Sequence, residues 1–214
     1  MGMGRWADVG CLGDRYAAVE RGIPAIAFSA GNADQRSYKE INSTTKSGAP
    51  DPATIDAQLS VDLVQQLINK AASTKKDRIL PYGYGINVNY PTITSLTNTS
   101  CIKPPFIQSR LTGGADVDAA VFNETSKLFT YKNIQTPGLN TCINGDCKLP
   151  GETQVVESGC FSSVSIFTVD YDAPTSQDTK GVRELLEPLV TAQKPQPSAG
   201  GKHARAVRAR EFYA

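Results

Sequence analysis

The residues with the clearest chemistry are two cysteines at the ends of a short turn. The segment TCINGDC places Cys142 and Cys147 on either side of Asn144-Gly145, a dipeptide that favours a tight turn. Such a turn brings the two sulfurs within bonding distance, so a disulfide is one interpretation. Two unrelated reduced thiols in a loop are the other, and the sequence does not decide between them. The further disulfide candidates are Cys101 and Cys160.

Three asparagines begin the Asn-x-Ser/Thr pattern of N-linked glycosylation, and all lie in polar stretches typical of surface loops. One match is weak evidence because the pattern arises often by chance. Together with a disulfide candidate, the three favour a secretory origin. Met1 to Asp8 nevertheless contain no apolar run of signal-peptide length. No stretch has the length and apolar character needed to span a bilayer, so we expect no membrane partner. The glycosylation candidates are Asn42, Asn98 and Asn123.

The charge balance and the single histidine exclude several classes of function. The formal net charge is +1, from 22 Lys and Arg against 21 Asp and Glu, so we expect no nucleic acid polymer as a partner. His203 lies in a basic stretch near the carboxyl terminus, which argues against a catalytic triad or a histidine-based metal site. No Cys-x-x-Cys pair, P-loop or Gly-x-Ser-x-Gly motif occurs.

The amino-terminal elements suggest an α/β fold in one domain of the 214 residues. Residues 14–21 suit a short helix. The run GIPAIAFS at 22–29 predicts a strand that is buried on both faces, as in a parallel sheet. A helix followed by a tight turn and a buried strand is the second half of a βαβ unit.

The strongest helix prediction begins at Asp51. Asp51 is a good N-cap, and Pro52 suits the first helical position. Apolar residues then recur every four positions to about Ser73, which indicates an amphipathic helix that packs on the core. The predicted stripe consists of Ile55, Leu59, Leu63 and Leu67, widened by Val64 and Ile68.

The rest of the chain gives weaker signals. Residues 80–91 predict a strand that is stopped by a proline, and the polar residues 92–157 predict hairpins and long loops. Alternation over residues 164–170 predicts a half-exposed strand. Residues 181–191 suit a last helix that Pro188 ends or bends, and residues 193–214 predict a flexible basic tail.

Three blocks in order resemble one family. The turn from Gly10 to Gly13 with the run GIPAIAFS, the block INVNYP at 86–91, and residues 159–174 are similar to blocks of the SurE family of phosphatases and nucleotidases. The last block is similar to the secreted fungal acid phosphatase branch. The resemblance covers roughly residues 9–190.

This resemblance implies a Rossmann-like α/β core with a β-rich carboxy-terminal extension. It assigns residues 1–192 to a partial SurE-like domain that is amino-terminally truncated, with its first strands missing. The implied activity is hydrolysis of small phosphate monoesters, such as nucleoside monophosphates, with a divalent cation, Mg²⁺ or Mn²⁺. The family's metal ligands lie upstream of the first block, so we expect this chain to hold no metal and to be inactive alone. A homodimer and secretion of the full-length protein are further implications.

The resemblance also suggests site residues. Gly10, Cys11 and Gly13 fall on the family's phosphate-side turn, but the hydroxyl residues of that turn are replaced. The turn is therefore an anion cradle at best, and a plain tight turn is the favoured alternative. Asn87 and Asn89 fall near the site, where they either orient a loop or, as we favour, form an Asx turn before Pro91.

Two hypotheses of function follow. The first is a metal-dependent phosphatase of which this sequence is a fragment. The second is a non-catalytic α/β remnant that acts as a binding or interaction module. A dinucleotide-binding Rossmann domain ranks below both because no Gly-x-Gly-x-x-Gly motif follows a strand.

Overall fold

The computed structural model describes residues 16–32, 34, 36–41, 43–75, 77–111, 118–133 and 144–192. These residues form a six-stranded sheet with helices, and a separate two-stranded hairpin, so the predicted α/β class is confirmed at that level. The elements in chain order are α1 (described over 16–20), β1 (Ala25–Ser29), a 3₁₀ turn (Tyr38–Glu40), α2 (Pro52–Ser73), β2 (Gly85–Asn89), β3 (Phe106–Ser109), β4 (Asp118–Asn123), β5 (Leu128–Asn133), α3 (Glu152–Glu157), β6 (Ser162–Thr168), β7 (Tyr171–Asp172), α4 (Gln177–Leu186) and β8 (Val190–Thr191).

The large sheet is mixed, and its strand directions define two opposite edges. The strand order is β1-β2-β6-β3-β8, with β7 paired to the carboxyl end of β6. β1 and β2 are parallel, β6 is antiparallel to β2, and β3 and β8 run parallel to β6. The carboxyl ends of β1 and β2 therefore lie at one edge, and those of β3, β6 and β8 lie at the other.

Helix α2 forms as the sequence predicts. The Asp51 side chain accepts a hydrogen bond from the Ala53 backbone N–H at 3.0 Å, which caps the helix. The predicted stripe is buried, but Ile68 is 42% exposed, so the expected widening of the stripe is wrong at that position. The helix packs through side chains spaced four residues apart, and position 68 lies outside that row. The buried apolar stripe consists of Ile55, Leu59, Leu63, Leu67 and Ala71.

Strand β6 differs from its prediction. Alternation over 164–170 predicts a half-exposed strand, whereas all seven residues of β6 are buried. β6 lies between β2 and β3. Val164 and Ile166 belong to the main apolar cluster with α2 and α4, and Ser165 bonds to α3 instead. The alternation of apolar and polar residues in β6 therefore reflects two buried faces, one apolar and one polar, and not a buried face and an exposed one.

Strand β1 is less buried than predicted. Only Ala27 of its five residues is buried, and the others are half-buried. Within the described part of the chain, β1 pairs only with β2, so one of its edges has no strand neighbour there.

The region 92–157 contains more regular structure than predicted. The expected hairpin is present as β4 and β5, but β3 and α3 were not predicted. β3 has four residues and α3 has six, which is too short for a periodic signal. Apart from the hairpin, the predicted β-rich extension belongs to the main sheet.

Helix α4 starts earlier than predicted and ends as predicted. Ser176 caps it by accepting a hydrogen bond from the Thr179 N–H at 3.1 Å. The helix ends at Leu186, two residues before Pro188, because proline cannot continue the hydrogen-bond ladder. None of the described helices combines the length and apolar character needed to cross a bilayer.

A disulfide joins the loop after β2 to the segment before β6. Cys101, in the loop after β2, bonds to Cys160, which precedes β6. Both residues contact the main apolar cluster. Cys147 is also disulfide-bonded, while its predicted partner Cys142 lies outside the described residues.

The burial of α2 predicts a sharp contrast between two of its residues. Leu63 is fully buried, so Leu63→Ala should lower the free energy of unfolding by roughly 2–5 kcal/mol, because it leaves a cavity. Ile68→Ala on the same helix should cost less than about 1 kcal/mol, since its side chain is 42% exposed and lies outside the buried stripe. Urea denaturation of both variants measures the difference. Equal losses would contradict the packing of α2.

Candidate functional site

Of the residues predicted near the phosphate site, the structure describes Asn87 and Asn89, and both are buried in β2. The glycosylation candidates Asn98 and Asn123 are also described, and both are exposed. Five other predicted positions give no structural result. The residues that lie outside the described part are Gly10, Cys11, Gly13, Asn42 and His203.

Asn87 belongs to a line of polar side chains that crosses three strands. Its Nδ2 donates to Oε1 of Glu152, and the Ser165 hydroxyl donates to the same oxygen at 3.0 Å. The Ser109 and Ser165 hydroxyl oxygens lie 2.8 Å apart. We call these four residues the polar row: Asn87 on β2, Glu152 on α3, Ser165 on β6 and Ser109 on β3.

Strand register creates the polar row. Asn87 lies opposite Ser165, and Ser165 lies opposite Ser109. Two backbone hydrogen bonds hold the start of α3 beside β3, from Glu152 N–H to the Arg110 carbonyl at 2.9 Å and from Arg110 N–H to the Pro150 carbonyl at 2.8 Å. Asn87 thus contacts a segment that begins 65 residues away, and no local sequence signal points to Glu152 as its partner.

Asn89 does not form the Asx turn that the sequence analysis favoured. Its Nδ2 donates across the strands to the Ser163 hydroxyl at 3.2 Å. An Asx turn needs a donor N–H two residues on, and that residue is Pro91, which has none.

The carboxyl ends of β1 and β2 form the candidate functional site, which we call the carboxyl edge. It comprises the loops that follow these two strands and the amino end of α2. The Asn32 side chain clamps the loops together, accepting from the Ile93 N–H and donating to the Ile93 carbonyl, both at 2.9 Å. The Tyr90 N–H adds a bond to the Ser29 carbonyl at 2.9 Å. Open α/β sheets bind ligands outside the carboxyl ends of parallel strands.

Asp51 at this edge has a structural role. It is almost fully buried, its Oδ2 lies 2.5 Å from Nη2 of Arg36, and its Oδ1 caps α2. Burial alone would raise the pKa of Asp51, but the bonds from Arg36 and the Ala53 N–H hold that pKa below its usual value. The same hydrogen bond raises the pKa of Arg36. Asp51 therefore stays charged and engaged.

Asp56, one turn further along α2, is in the opposite situation. Burial, with a smaller effect from the charge of Asp51, raises the pKa of Asp56 to about 6. Its Oδ1 is buried, and the described residues offer it no hydrogen-bond partner. Nearby, the hydroxyls of Ser60 and Tyr90 lie 2.7 Å apart, and burial raises the pKa of Tyr90. Asp56 can therefore exchange a proton at mildly acidic pH.

The described residues do not fit the divalent cation that the resemblance implies. In this part of the chain, no three His, Cys, Asp or Glu side chains are grouped closely enough to hold a metal ion. Asp51 and Asp56 lie at the carboxyl edge, but Asp51 is already bonded to Arg36 and to the helix end. We therefore assign no metal-binding role to these described residues.

A shallow, open depression lies at the opposite edge of the sheet. Two ion pairs line it. Arg110 Nη1 is 3.8 Å from Asp172 Oδ2, and Arg183 Nη1 is 3.4 Å from Asp146 Oδ2. The two pairs balance in charge, so the depression offers no excess positive charge to a phosphate, and we assign it a structural role.

Comparison with known proteins gives one strong similarity. No family model matches the chain. Over 168 residues, which is 77% of this chain, the sequence is 42% identical to an acid phosphatase of Yarrowia lipolytica. The chain spans 45% of the length of that relative. The chain is therefore similar to part of that acid phosphatase, and the SurE-like assignment rests on the sequence blocks alone.

The environment of Asp56 predicts a pH dependence of stability. Because its folded-state pKa of about 6 exceeds the ordinary aspartate value of 3.8, ionisation of Asp56 destabilises the fold as pH rises between these values. Asp56 is only partly buried, so screening by solvent reduces the penalty to roughly 1–2 kcal/mol. Asp56→Asn should therefore raise the free energy of unfolding by that amount at pH 7 and leave it unchanged near pH 4.

Urea denaturation of both chains at several pH values between 4 and 7 measures this effect. Asp62→Asn is the matched control, because Asp62 is exposed on the same helix and bonds to Gln58. The control should change stability by less than about 0.5 kcal/mol at either pH. If the Asp56→Asn difference is the same at pH 4 and pH 7, Asp56 is not the titrating group.

Proposed function

We propose that this chain is part of a phosphate monoesterase of the acid phosphatase class, acting on small esters such as nucleoside monophosphates. The observation that carries the proposal is the 42% identity to an acid phosphatase over 168 residues. Since the chain spans 45% of that relative, the activity belongs to the whole enzyme of which this chain supplies a part. The SurE-like blocks extend the proposal to a SurE-type enzyme.

We further propose that the enzyme uses Mg²⁺ or Mn²⁺ and that its ligands come from outside the described residues. When bound, such a cation polarises the phosphoryl oxygens. The described residues supply the scaffold for this chemistry. Asn32 fixes the loops of the carboxyl edge, and Asp56 can hold or release a proton there. The 214-residue chain alone is then inactive.

Secretion of the whole enzyme is the accompanying proposal for localisation. The Cys101–Cys160 disulfide supports it, because disulfides form and persist in oxidising compartments. Cys147, which is also disulfide-bonded, supports it independently.

A binding module is the second candidate function, and the hairpin β4–β5 favours it. Phe122 and Phe129 stack edge to face at 5.3 Å between ring centroids, yet they are 41% and 72% exposed. A two-stranded hairpin is marginally stable by itself in water, so this one gains from a partner surface. The expected homodimer would provide such a surface and stays a prediction.

A chimera with the relative separates the two functions. Replacing the matched segment of the Yarrowia lipolytica enzyme by the corresponding 168 residues of this chain should preserve hydrolysis of p-nitrophenyl phosphate. We expect kcat/KM within about tenfold of the parent, or ~1.4 kcal/mol of transition-state stabilisation. The 214-residue chain alone should be at least about 1000-fold less active, since it lacks the charge stabilisation of the cation.

The parent enzyme with a deleted segment is the negative control, and circular dichroism verifies that the chimera folds. A folded chimera without activity would contradict the phosphatase proposal and favour the binding module. Turnover by the 214-residue chain that depends on Mn²⁺ or Mg²⁺ would show that its own residues hold the cation.

A further inference from the structure

Asn98 is exposed in a turn that is fixed to the core of the molecule. The Asn98 N–H bonds to the Thr94 carbonyl at 3.0 Å, and the Thr94 N–H bonds to the Cys101 carbonyl at 2.9 Å. Cys101 in turn is joined to Cys160. The disulfide therefore holds the base of the turn, while the Asn98 side chain extends into solvent.

The hydrogen bonds of Asn98 leave room for a substituent on its amide nitrogen. Its Oδ1 accepts from the Ser100 N–H at 2.9 Å and from the Ser100 hydroxyl at 2.6 Å. Its Nδ2 donates to the Thr97 hydroxyl at 3.2 Å. An asparagine amide nitrogen has two hydrogens, and the described residues provide no acceptor for the second one. Replacing that hydrogen breaks no hydrogen bond of the fold.

We propose that Asn98 carries an N-linked oligosaccharide. The donor class is an oligosaccharide attached to a lipid diphosphate. The Asn98 nitrogen forms a bond to the sugar C1, the bond between C1 and the diphosphate oxygen breaks with its electron pair, and the nitrogen loses one proton. The Cys101–Cys160 disulfide points to the oxidising compartment in which such a transfer takes place. This proposal does not depend on the phosphatase activity.

The position of the disulfide also sets the order of events. Cys160 follows Cys101 by 59 residues, which at ~5–20 residues per second is a delay of roughly 3–12 seconds in synthesis. During that delay Cys160 has not yet been synthesised, so the disulfide cannot form. Once the disulfide closes, the bonds to Thr94 and Ser100 bend the segment, and a transferase cannot extend it without breaking them. Transfer therefore precedes disulfide closure.

The test uses the 214-residue chain secreted from yeast behind a supplied signal peptide, with Asn42→Gln and Asn123→Gln to remove the other two candidates. Digestion with peptide N-glycosidase, followed by mass spectrometry of the Asn98 peptide, measures occupancy. We expect the peptide to be modified. An unmodified Asn98 peptide in the secreted, disulfide-bonded chain would overturn the proposal.

A pair of substitutions at one position provides the control. Ser100→Thr keeps both the glycosylation pattern and the hydroxyl, so the modification should remain. Ser100→Ala should abolish it, and thermal unfolding confirms that this exposed change leaves the fold intact. Cys160→Ser tests the order of events in total cell extract, so that secretion is not required. Its occupancy should equal that of the parent chain, and a clear rise would show that disulfide closure competes with transfer.

Discussion

The described fold depends on satisfying a polar face of the sheet that is buried. Ser165 has no exposed surface, and Asn87 and Ser109 are almost as deeply buried. A buried polar group without a partner costs about 1–3 kcal/mol, so each of these side chains must find a hydrogen bond within the protein. These side chains bond to one another in a line. The Glu152 carboxylate accepts hydrogen bonds from Asn87 and Ser165, and the Ser165 hydroxyl contacts that of Ser109. A shift of one residue in any of these strands would turn the polar side chains toward the apolar helices.

The same constraint explains why different helices pack on the two faces of the sheet. Residues that alternate with the polar row, such as Ile86, Val164 and Ile166, face the apolar cluster with α2 and α4. These helices can cover that face with side chains that need no hydrogen bonds. The polar face needs a cover that carries a hydrogen-bonding group, and the short helix α3 supplies it through Glu152. The Cys101–Cys160 disulfide then holds the start of β6 against the loop after β2.

The sequence predicts the elements whose signals are local. Helix α2 was predicted from the Asp51 cap and the four-residue spacing, and α4 ends before Pro188, because both signals lie within a few residues of the structure they specify. The short strand β3 and helix α3 were missed because their existence depends on partners in β6. The sequence did not predict that both faces of β6 are buried. Alternating apolar and polar residues indicate that the two faces of a strand differ, but they do not indicate what covers each face. Glu152 was missed as a partner of Asn87 because hydrogen bonds between distant segments leave no mark on local spacing.

The carboxyl edge shows how one helix end can set two aspartates to different states. The Asp51 carboxylate is hydrogen-bonded to a guanidinium and a backbone N–H, which lower its pKa, so it stays ionised. Burial and the charge of Asp51 raise the pKa of Asp56 to about 6. Neither state follows from the residue type, and both follow from the groups that surround each carboxylate. Under the proposed function, this arrangement favours acidic conditions, because protonating Asp56 removes a negative charge from the edge where α/β sheets receive their ligands. An anionic phosphate ester at this edge would then meet less repulsion from Asp56 below pH 6 than above it.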